Sequence, residues 1–253
     1  MVEDNDGRGP AAVRNIGWRR ATGELICFVD DDVVLDGGWA RAFLDAHREN
    51  PDAVLQGCTE PHPAEAAAQD AFSRSKAITQ LDWNYQTCNI AYPRALLERL
   101  GGFDEAYRFA SAEDTDLGWR AREAGAPIRF VHDAHAWHAV QRPGVLGLVR
   151  RMRIKTDVAR LTRRHPGIRH HYYREIFWKP SHAFLPLAAA GLALAPRTRG
   201  ASLLLAAPYV HLYRDRHGSY AGTVASLPGH AAVDGAEIAS VTAGAVRFRT
   251  LLV

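Results

Sequence analysis

Continuous apolar runs alternate with helix-period segments through the first half of the chain. Residues 25–29 ("LICFV") form an uninterrupted apolar run, which is typical of a strand in a sheet that is covered on both faces. Large side chains recur every four residues over 39–47 and predict a helix that ends at Pro51. A second apolar run at 53–58 predicts another strand. This alternation favours a layered α/β domain.

The same alternation continues to about residue 140. Residues 61–82 are polar and alanine-rich, and they predict a surface helix or a mobile loop. A strand end is then followed by a predicted helix over 93–100, and a helix with an acidic first turn is predicted over 112–125. Residues 127–140 are predicted to be extended.

The pattern changes after Arg142. Residues 145–161 predict a basic amphipathic helix, and uncharged apolar runs follow at 182–196 and 200–213. Neither run reaches the roughly 20 residues that a helix needs to span a bilayer. These features fit a region that lies on an anionic membrane surface or dips into one leaflet. Buried helices of a small C-terminal bundle are the alternative.

Charge divides the chain at the same place. With 47% hydrophobic and 23% charged residues, the 253-residue chain is of the ordinary globular class, which excludes a disordered or fibrous protein. Its net charge of +3 conceals 14 Lys/Arg against 23 Asp/Glu in 1–141, and 17 against 5 in 142–253. We therefore predict a first domain at 1–141 that favours a cation, and a helical, apolar second region at 142–253 that favours an anionic surface.

The cysteines and the N-terminus bear on the compartment. Cys27, Cys58 and Cys88 have no metal-type spacing and lie in or beside apolar stretches, which predicts buried free thiols in a reducing compartment. The first ten residues are polar and acidic, unlike a signal peptide. We expect a cytoplasmic protein that is peripheral at the cytoplasmic face of the membrane.

Three carboxylates, Asp30, Asp31 and Asp32, stand directly behind the first predicted strand. Like charges side by side resist desolvation, so the triplet is either a solvated turn or a place for a cation. Ligands of open α/β sheets bind beyond the carboxyl ends of strands, and carboxylate oxygens suit Mg²⁺ or Mn²⁺. The triplet alone leaves both interpretations open.

Further motifs accompany the triplet in order along the chain. They are an Arg-Asn helix at 14–15, an Ala-x-Gly-Glu turn at 21–24, an Asn before Tyr-Pro-Arg at 89–94, a Gly-Gly-Phe-Asp-Glu turn at 101–105, Glu-Asp-x-Asp-Leu at 113–117, and a late strand ending in His138. Together, over residues 11–138, they closely resemble the family 2 glycosyltransferases, which are inverting enzymes of the GT-A fold. The resemblance implies a GT-A-like, Rossmann-like mixed α/β sheet with flanking helices.

The resemblance also implies roles for individual residues. Asp32 would bind the cation that bridges the two phosphates of a sugar donor, and Asp30 would support the metal or the donor ribose. Asp114 matches the catalytic base, with Glu113 beside it as an orienting or acceptor-binding carboxylate. The implied sets are catalytic Asp114 and Glu113; donor-binding Arg14, Asn15, Asp30 and Asp31; and Asp30, Asp32 and His138 as ligands of Mn²⁺ or Mg²⁺.

Some of these residues keep a structural alternative. Arg14 is also compatible with a helix-surface arginine, and the acidic turn at Glu113 with simple compensation of the helix dipole. His132 and His135 lie near His138 but match no position of the family, so we interpret them as surface or core histidines.

The implied reaction transfers a single sugar from a nucleoside-diphosphate sugar to an acceptor hydroxyl with inversion. The metal would neutralise charge on the leaving diphosphate while a carboxylate takes the acceptor's proton. The Gln-x-x-Arg-Trp motif of processive synthases is absent after His138, which indicates single transfer. The C-terminal region suggests a lipid-linked or cell-envelope glycan acceptor, and no nucleic acid is expected because apolar runs suit lipid better than bases.

The family's pattern normally starts with a strand, a helix, and a second strand ending in Asp-Asp-x-Ser that grips the base and ribose. Only 13 residues precede Arg14 here. The resemblance therefore implies an N-terminally truncated domain within a longer natural protein, with weak donor binding and an exposed sheet edge. A non-catalytic, degenerate membrane-associated module and a metal-dependent nucleotidyltransferase are the alternatives.

Overall fold

A computed structural model describes residues 7–214 and 220–253, with the backbone alone at Tyr220. The described residues divide into two units. Unit 1 holds those up to Gln69 together with Ser73–Arg142, and unit 2 holds Asp70–Phe72 and Pro143–Val253.

Unit 1 is a mixed sheet with flanking helices. Its strands are β1 (Leu25–Val29), β2 (Val33–Leu35), β3 (Val54–Pro61), β4 (Asn89–Pro93) and β5 (Ile128–His138), and its helices are α1 (Pro10–Arg20), α2 (Trp39–Glu49), α3 (Pro63–Ala66), α4 (Arg94–Leu100) and α5 (Glu113–Glu123). Among the described residues the strand order is β1-β4-β3-β5-β2. Only β3 and β5 run parallel, and the other pairs are antiparallel. The predicted mixed α/β sheet is thereby confirmed.

The core of unit 1 lies at the middle of this sheet. Every residue of β4 is buried, and Phe43 of α2 packs with Leu55 and Ala91 of the central strands. The prediction that residues 25–29 form a strand is correct, but the prediction that both faces are covered is wrong. Strand β1 lies at an edge, where buried and exposed positions alternate, so Cys27 is exposed while Cys58 and Cys88 are buried. An apolar run does not reveal whether a strand is central or at an edge.

The segment between β3 and β4 contains little regular structure. In the stretch 61–82 only α3 is helical, and it has four residues. Strand β2 was not predicted, because three residues carry no readable periodicity. Strand β2 pairs in antiparallel fashion with the C-terminal end of β5.

Unit 2 is helical. Its helices are α6 (Gly144–Met152), α7 (Asp157–Arg164), α8 (Pro180–Leu194), α9 (Ala207–Arg214) and α10 (Tyr220–Phe248), with 3-10 turns at Arg153–Thr156, Pro166–His171 and Ala201–Ala206. Helix α8 packs against the 201–206 turn, where Ser202 Oγ donates to the carbonyl of Gly191 at 2.8 Å. Across residues 7–214 and 220–253, no helix has both the length and the hydropathy needed to cross a bilayer.

A buried charged cluster holds α8 to α10 within unit 2. Lys179 Nζ lies 2.9 Å from Asp234 Oδ1 and 2.5 Å from Glu237 Oε2, while both carboxylates are almost fully buried. Tyr209 OH donates to Asp234 at 2.9 Å. Although burial alone would raise it, the contacts with His182 and Lys179 lower the pKa of Glu237 to about 2.

Candidate active site

The register between β2 and β5 brings the aspartates beside the late histidine. Val33 pairs with His138, so Asp32, one residue earlier, lies next to the imidazole at the sheet edge. Asp32 Oδ1 is 3.5 Å from His138 Nε2. One potential ligand atom from each of Asp30, Asp32 and His138 lies within 4.8 Å of the other two. Asp31, between the two aspartates, is exposed.

The surroundings of this cluster orient its donor atoms. His138 Nδ1 donates to the carbonyl of Ala139 at 2.8 Å. In the neutral ring, Nε2 then carries the lone pair, and this atom faces Asp32. Gln141 Nε2 donates to Asp32 Oδ2 at 2.7 Å. Two carboxylates and one oriented imidazole form a donor set that fits Mn²⁺ or Mg²⁺, and the imidazole favours Mn²⁺.

Arg14 of α1 connects the aspartates to the start of α5. Its guanidinium donates to Glu113 Oε1 at 2.6 Å and to Asp30 Oδ1 at 3.2 Å. Burial by itself would lower the pKa of Arg14, but Glu113, Asp114 and Asp30 together raise it. Arg14 is therefore the permanent positive charge of an otherwise acidic site, rather than an isolated helix-surface arginine.

The first turn of α5 presents two carboxylates with different environments. Ala112 begins the helix in the left-handed region at φ 79°, which an alanine rarely adopts. Burial, reinforced by Asp114 and opposed by Arg14, raises the pKa of Glu113 to about 7. Glu113 Oε2 is buried without a hydrogen-bond partner, whereas Asp114 Oδ1 accepts from the backbone N–H of Thr115 at 2.8 Å. A buried carboxylate oxygen without a partner can accept a hydrogen bond from a hydroxyl group of a ligand.

Comparison with known proteins bears on the family and the fold. Residues 1–101 match the family model described as Glycosyl transferase family 2. The fold is similar to that of a mannosyltransferase from Pyrobaculum calidifontis solved with GDP-Man and Mn²⁺, with a TM-score of 0.50 and 22% identity over 98% of this chain and 68% of that one. Unit 1 carries this match to the family 2 glycosyltransferases. The recognition made from the motifs is thus confirmed, and the fold is GT-A-like.

Two curated relatives extend the likeness beyond the glycosyltransferase domain model. A validoxylamine A glucosyltransferase of Streptomyces hygroscopicus subsp. jinggangensis is 25% identical over 212 residues, which cover 70% of this chain and 49% of the relative. A pre-mycofactocin glycosyltransferase of Mycobacterium tuberculosis is 32% identical over 136 residues, covering 49% of this chain and 28% of the relative. The chain therefore spans half or less of the length of these relatives.

Asn15 of unit 1 makes its hydrogen bonds within the protein. Its side chain donates to the carbonyl of Phe103 and accepts from the backbone N–H of Phe103, both at 2.9 Å, and it accepts from Trp18 Nε1. Gly102, at φ 75°, approaches Asn15 and Trp18 so closely that a Cβ there would collide with both. Asn15 therefore fastens α1 to the Gly-Gly-Phe-Asp-Glu turn, and a direct donor contact for it stays a prediction.

Sequence reasoning missed the third carboxylate of the Glu-Asp-x-Asp-Leu motif. Asp116 is fully buried and accepts from Arg120 Nε at 2.7 Å and from Tyr107 OH at 3.3 Å. Arg120 also donates to the carbonyls of Leu100 and Gly102. The four-residue spacing of aspartate and arginine was the available signal. The pair fixes α5 against α4 and so positions the two carboxylates that precede it.

Proposed function

We propose that the chain transfers a single sugar from a nucleoside-diphosphate sugar to an acceptor hydroxyl, with inversion and dependence on a divalent cation. The observation that carries the proposal is the Arg14 bridge. It joins Asp30 of the candidate cation cluster to Glu113 beside the candidate base Asp114. A nucleotide-sugar reaction needs these two parts next to each other, because the diphosphate leaves while the acceptor's proton is removed.

Asp114 is the proposed catalytic base. It is half-buried in the first turn of α5, at the positive end of the helix dipole. Attack by a hydroxyl from the side opposite the diphosphate requires one base and inverts the anomeric carbon. Glu113, held by Arg14, has a free buried oxygen and is proposed to position the acceptor or the sugar by accepting a hydroxyl hydrogen bond.

Asp30, Asp32 and His138 are the proposed cation ligands, and Mn²⁺ or Mg²⁺ held there would neutralise negative charge on the diphosphate. Arg14 and Asp31 are the further proposed contacts to the donor. The Pyrobaculum mannosyltransferase was solved with GDP-Man and Mn²⁺, which supports this choice of donor class and metal.

The test uses the full chain with Mn²⁺ and a panel of nucleotide sugars, and it measures release of nucleoside diphosphate with and without lipid-linked acceptors. Asp114→Asn should lower the rate about 10²–10⁴-fold while leaving the calorimetric affinity for nucleoside diphosphate with Mn²⁺ unchanged. Asp52→Asn, an exposed carboxylate between α2 and β3, is the matched control and should retain full activity. Release of pyrophosphate would instead indicate a nucleotidyltransferase, and binding without turnover by the wild type a non-catalytic module.

We further propose that unit 2 holds the protein at the cytoplasmic face of a membrane, where a lipid-linked or cell-envelope acceptor would be met. The hairpin formed by α8 and the 201–206 turn exposes Leu192 (63%) and Leu204 (78%). Arg197 and Arg199 stand at its exposed tip. No Asp or Glu occurs between Glu175 and Asp215, so the hairpin combines apolar and cationic character, which suits an anionic bilayer.

Co-sedimentation with vesicles of phosphatidylglycerol, and separately of phosphatidylcholine, tests this proposal. The double variant Leu192→Gln/Leu204→Gln should lose binding to the anionic vesicles, because both side chains are exposed and their replacement leaves the core intact. Leu44→Gln, an exposed leucine of unit 1, is the control. Unchanged binding by the double variant would refute a role for the hairpin.

A further inference from the structure

A second group of metal-binding side chains lies in unit 1 apart from the aspartate triplet. Potential ligand atoms of Cys58, Glu60 and His135 lie within 4.8 Å of one another. Cys58 and Glu60 are two residues apart on β3, so their side chains project from the same face. His135 comes from the neighbouring strand β5.

An irregularity in strand pairing directs His135 to this place. The parallel register of β3 and β5 shifts between Gly57 and Thr59, which pair with Val131 and Ala136. One residue of β3, Cys58, therefore faces four residues of β5, 132–135. Bulges change the direction in which side chains point, and they recur near functional sites.

The imidazole of His135 stands between two carboxylates. Its Nε2 is 2.9 Å from Glu60 Oε2, and its Nδ1 is 3.1 Å from Asp36 Oδ2, although the Nδ1 contact is poorly aligned for a hydrogen bond. Trp137 Nε1 donates to the other oxygen of Asp36 at 2.9 Å. An imidazolium would donate to both carboxylates, whereas a neutral imidazole carries one N–H and turns a ring lone pair to the other carboxylate, where a metal ion can bridge the two.

The donor set selects the kind of cation. A thiolate, an imidazole and a carboxylate are ligands of Zn²⁺, whereas the Asp30, Asp32 and His138 cluster is richer in hard oxygen donors. Tetrahedral coordination at about 2.0–2.3 Å places ligand atoms roughly 3.5 Å apart, which small side-chain rotations within the 4.8 Å group would achieve.

We propose that Cys58, Glu60 and His135 bind a zinc-like divalent cation, with water as the fourth ligand and with Asp36 orienting the imidazole. The carboxylate–histidine–metal arrangement that results is the usual way in which a metal-bound histidine is held. Glu60 and Asp36 are almost half exposed, which gives the ion a path from solvent, while Cys58 is buried. Binding of the cation by the Cys58 thiolate releases the thiol proton to solvent.

The ion would pin β3 to β5 at the register shift. His138 follows His135 by three residues on the same strand, so the pinned segment leads directly into the candidate active site. This role is structural and independent of sugar transfer, and its test therefore does not depend on finding a donor or an acceptor.

Cobalt substitution in the chelator-treated full chain tests the proposal, because a thiolate–Co²⁺ bond gives a near-ultraviolet charge-transfer band. We expect one equivalent of Co²⁺ to produce the band, and Zn²⁺ to abolish it by displacement. Cys58→Ser should lose the band, whereas Cys88→Ala, which removes another buried thiol, should keep it. Asp32→Asn should also keep it, which separates this group from the candidate active site.

A wild-type chain without the band would overturn the proposal and leave only a hydrogen-bonded Glu60–His135 pair. A band that persists in Cys58→Ser would overturn it equally. His135→Gln provides a second variant if Cys58→Ser fails to fold, and it should lower the affinity for Zn²⁺ at least tenfold. Zn²⁺ should raise the melting temperature of the wild type and of Cys88→Ala, but not that of His135→Gln.

Discussion

Removing Arg14 should destabilise unit 1 by an amount that depends on pH. Arg14→Met keeps much of the aliphatic length but leaves Glu113, which is 3% exposed, without its cation. Breaking a buried ion pair by removing one partner costs about 3–5 kcal/mol, and the 19% exposure of Arg14 reduces our expectation to about 2–3 kcal/mol. With a urea slope of roughly 2 kcal/mol/M, the unfolding midpoint should fall by about 1 M.

The pH dependence of this loss follows from the sign of the pKa shift. The pKa of Glu113 is already raised, to about 7, and Arg14 opposes the rise, so the variant's carboxyl should hold its proton to still higher pH. A protonated Glu113 needs no cation. The difference in stability between wild type and Arg14→Met should therefore be largest near pH 8 and shrink towards pH 5.5, as the native state takes up the proton.

Urea unfolding followed by tryptophan fluorescence reports on the right unit, since five of the six tryptophans lie in unit 1. Arg41→Met is the matched control, because Arg41 is 74% exposed and lies 3.9 Å from Asp45, a surface pair that should matter by less than about 0.5 kcal/mol. Equal effects of the two variants, or a loss for Arg14→Met that does not change with pH, would refute the reasoning.

Two further changes test other parts of the structure. Ala112→Gly should stabilise unit 1 by about 1 kcal/mol in urea unfolding, because glycine adopts the left-handed conformation without strain, whereas Ala124→Gly, at a residue of negative φ, should destabilise slightly. In unit 2, the depressed pKa of Glu237 contributes stability that is present above about pH 4.5 and is lost as the pH falls towards 2. Glu237→Gln should cost about 2 kcal/mol at neutral pH by circular dichroism and should lack that acid-induced loss, and an effect no larger than that of the exposed Glu175→Gln would contradict this.

The fold could be predicted where local pattern decides the structure. The apolar run at 25–29 and the four-residue spacing over 39–47 correspond to β1 and α2. The position of β1 at the sheet edge could not be predicted, because strand order depends on tertiary pairing. Helix α10 was not predicted: its 29 residues are rich in small side chains, with a proline at 228.

The order of the motifs along the chain predicted the residues of the candidate site, but it did not predict their contacts. The nearness of Asp32 and His138 depends on the antiparallel register of β2, a strand too short to be seen in sequence. The motif match assigned Asn15 to the donor, whereas its hydrogen bonds go to the protein itself. His135 was interpreted as an ordinary histidine because spacing alone does not reveal a shift of register.

The same Arg14 substitution should have the opposite effect on cation binding. Arg14 and a bound cation both require Asp30, and like charges that share one carboxylate repel each other. If the Asp30, Asp32 and His138 group holds Mn²⁺, Arg14→Met should bind Mn²⁺ several-fold more tightly by calorimetry, even though the protein is less stable. General loosening of the site would instead lower stability and affinity together. Parallel losses in Arg14→Met would show that Arg14 positions Asp30 rather than competing with the metal for it.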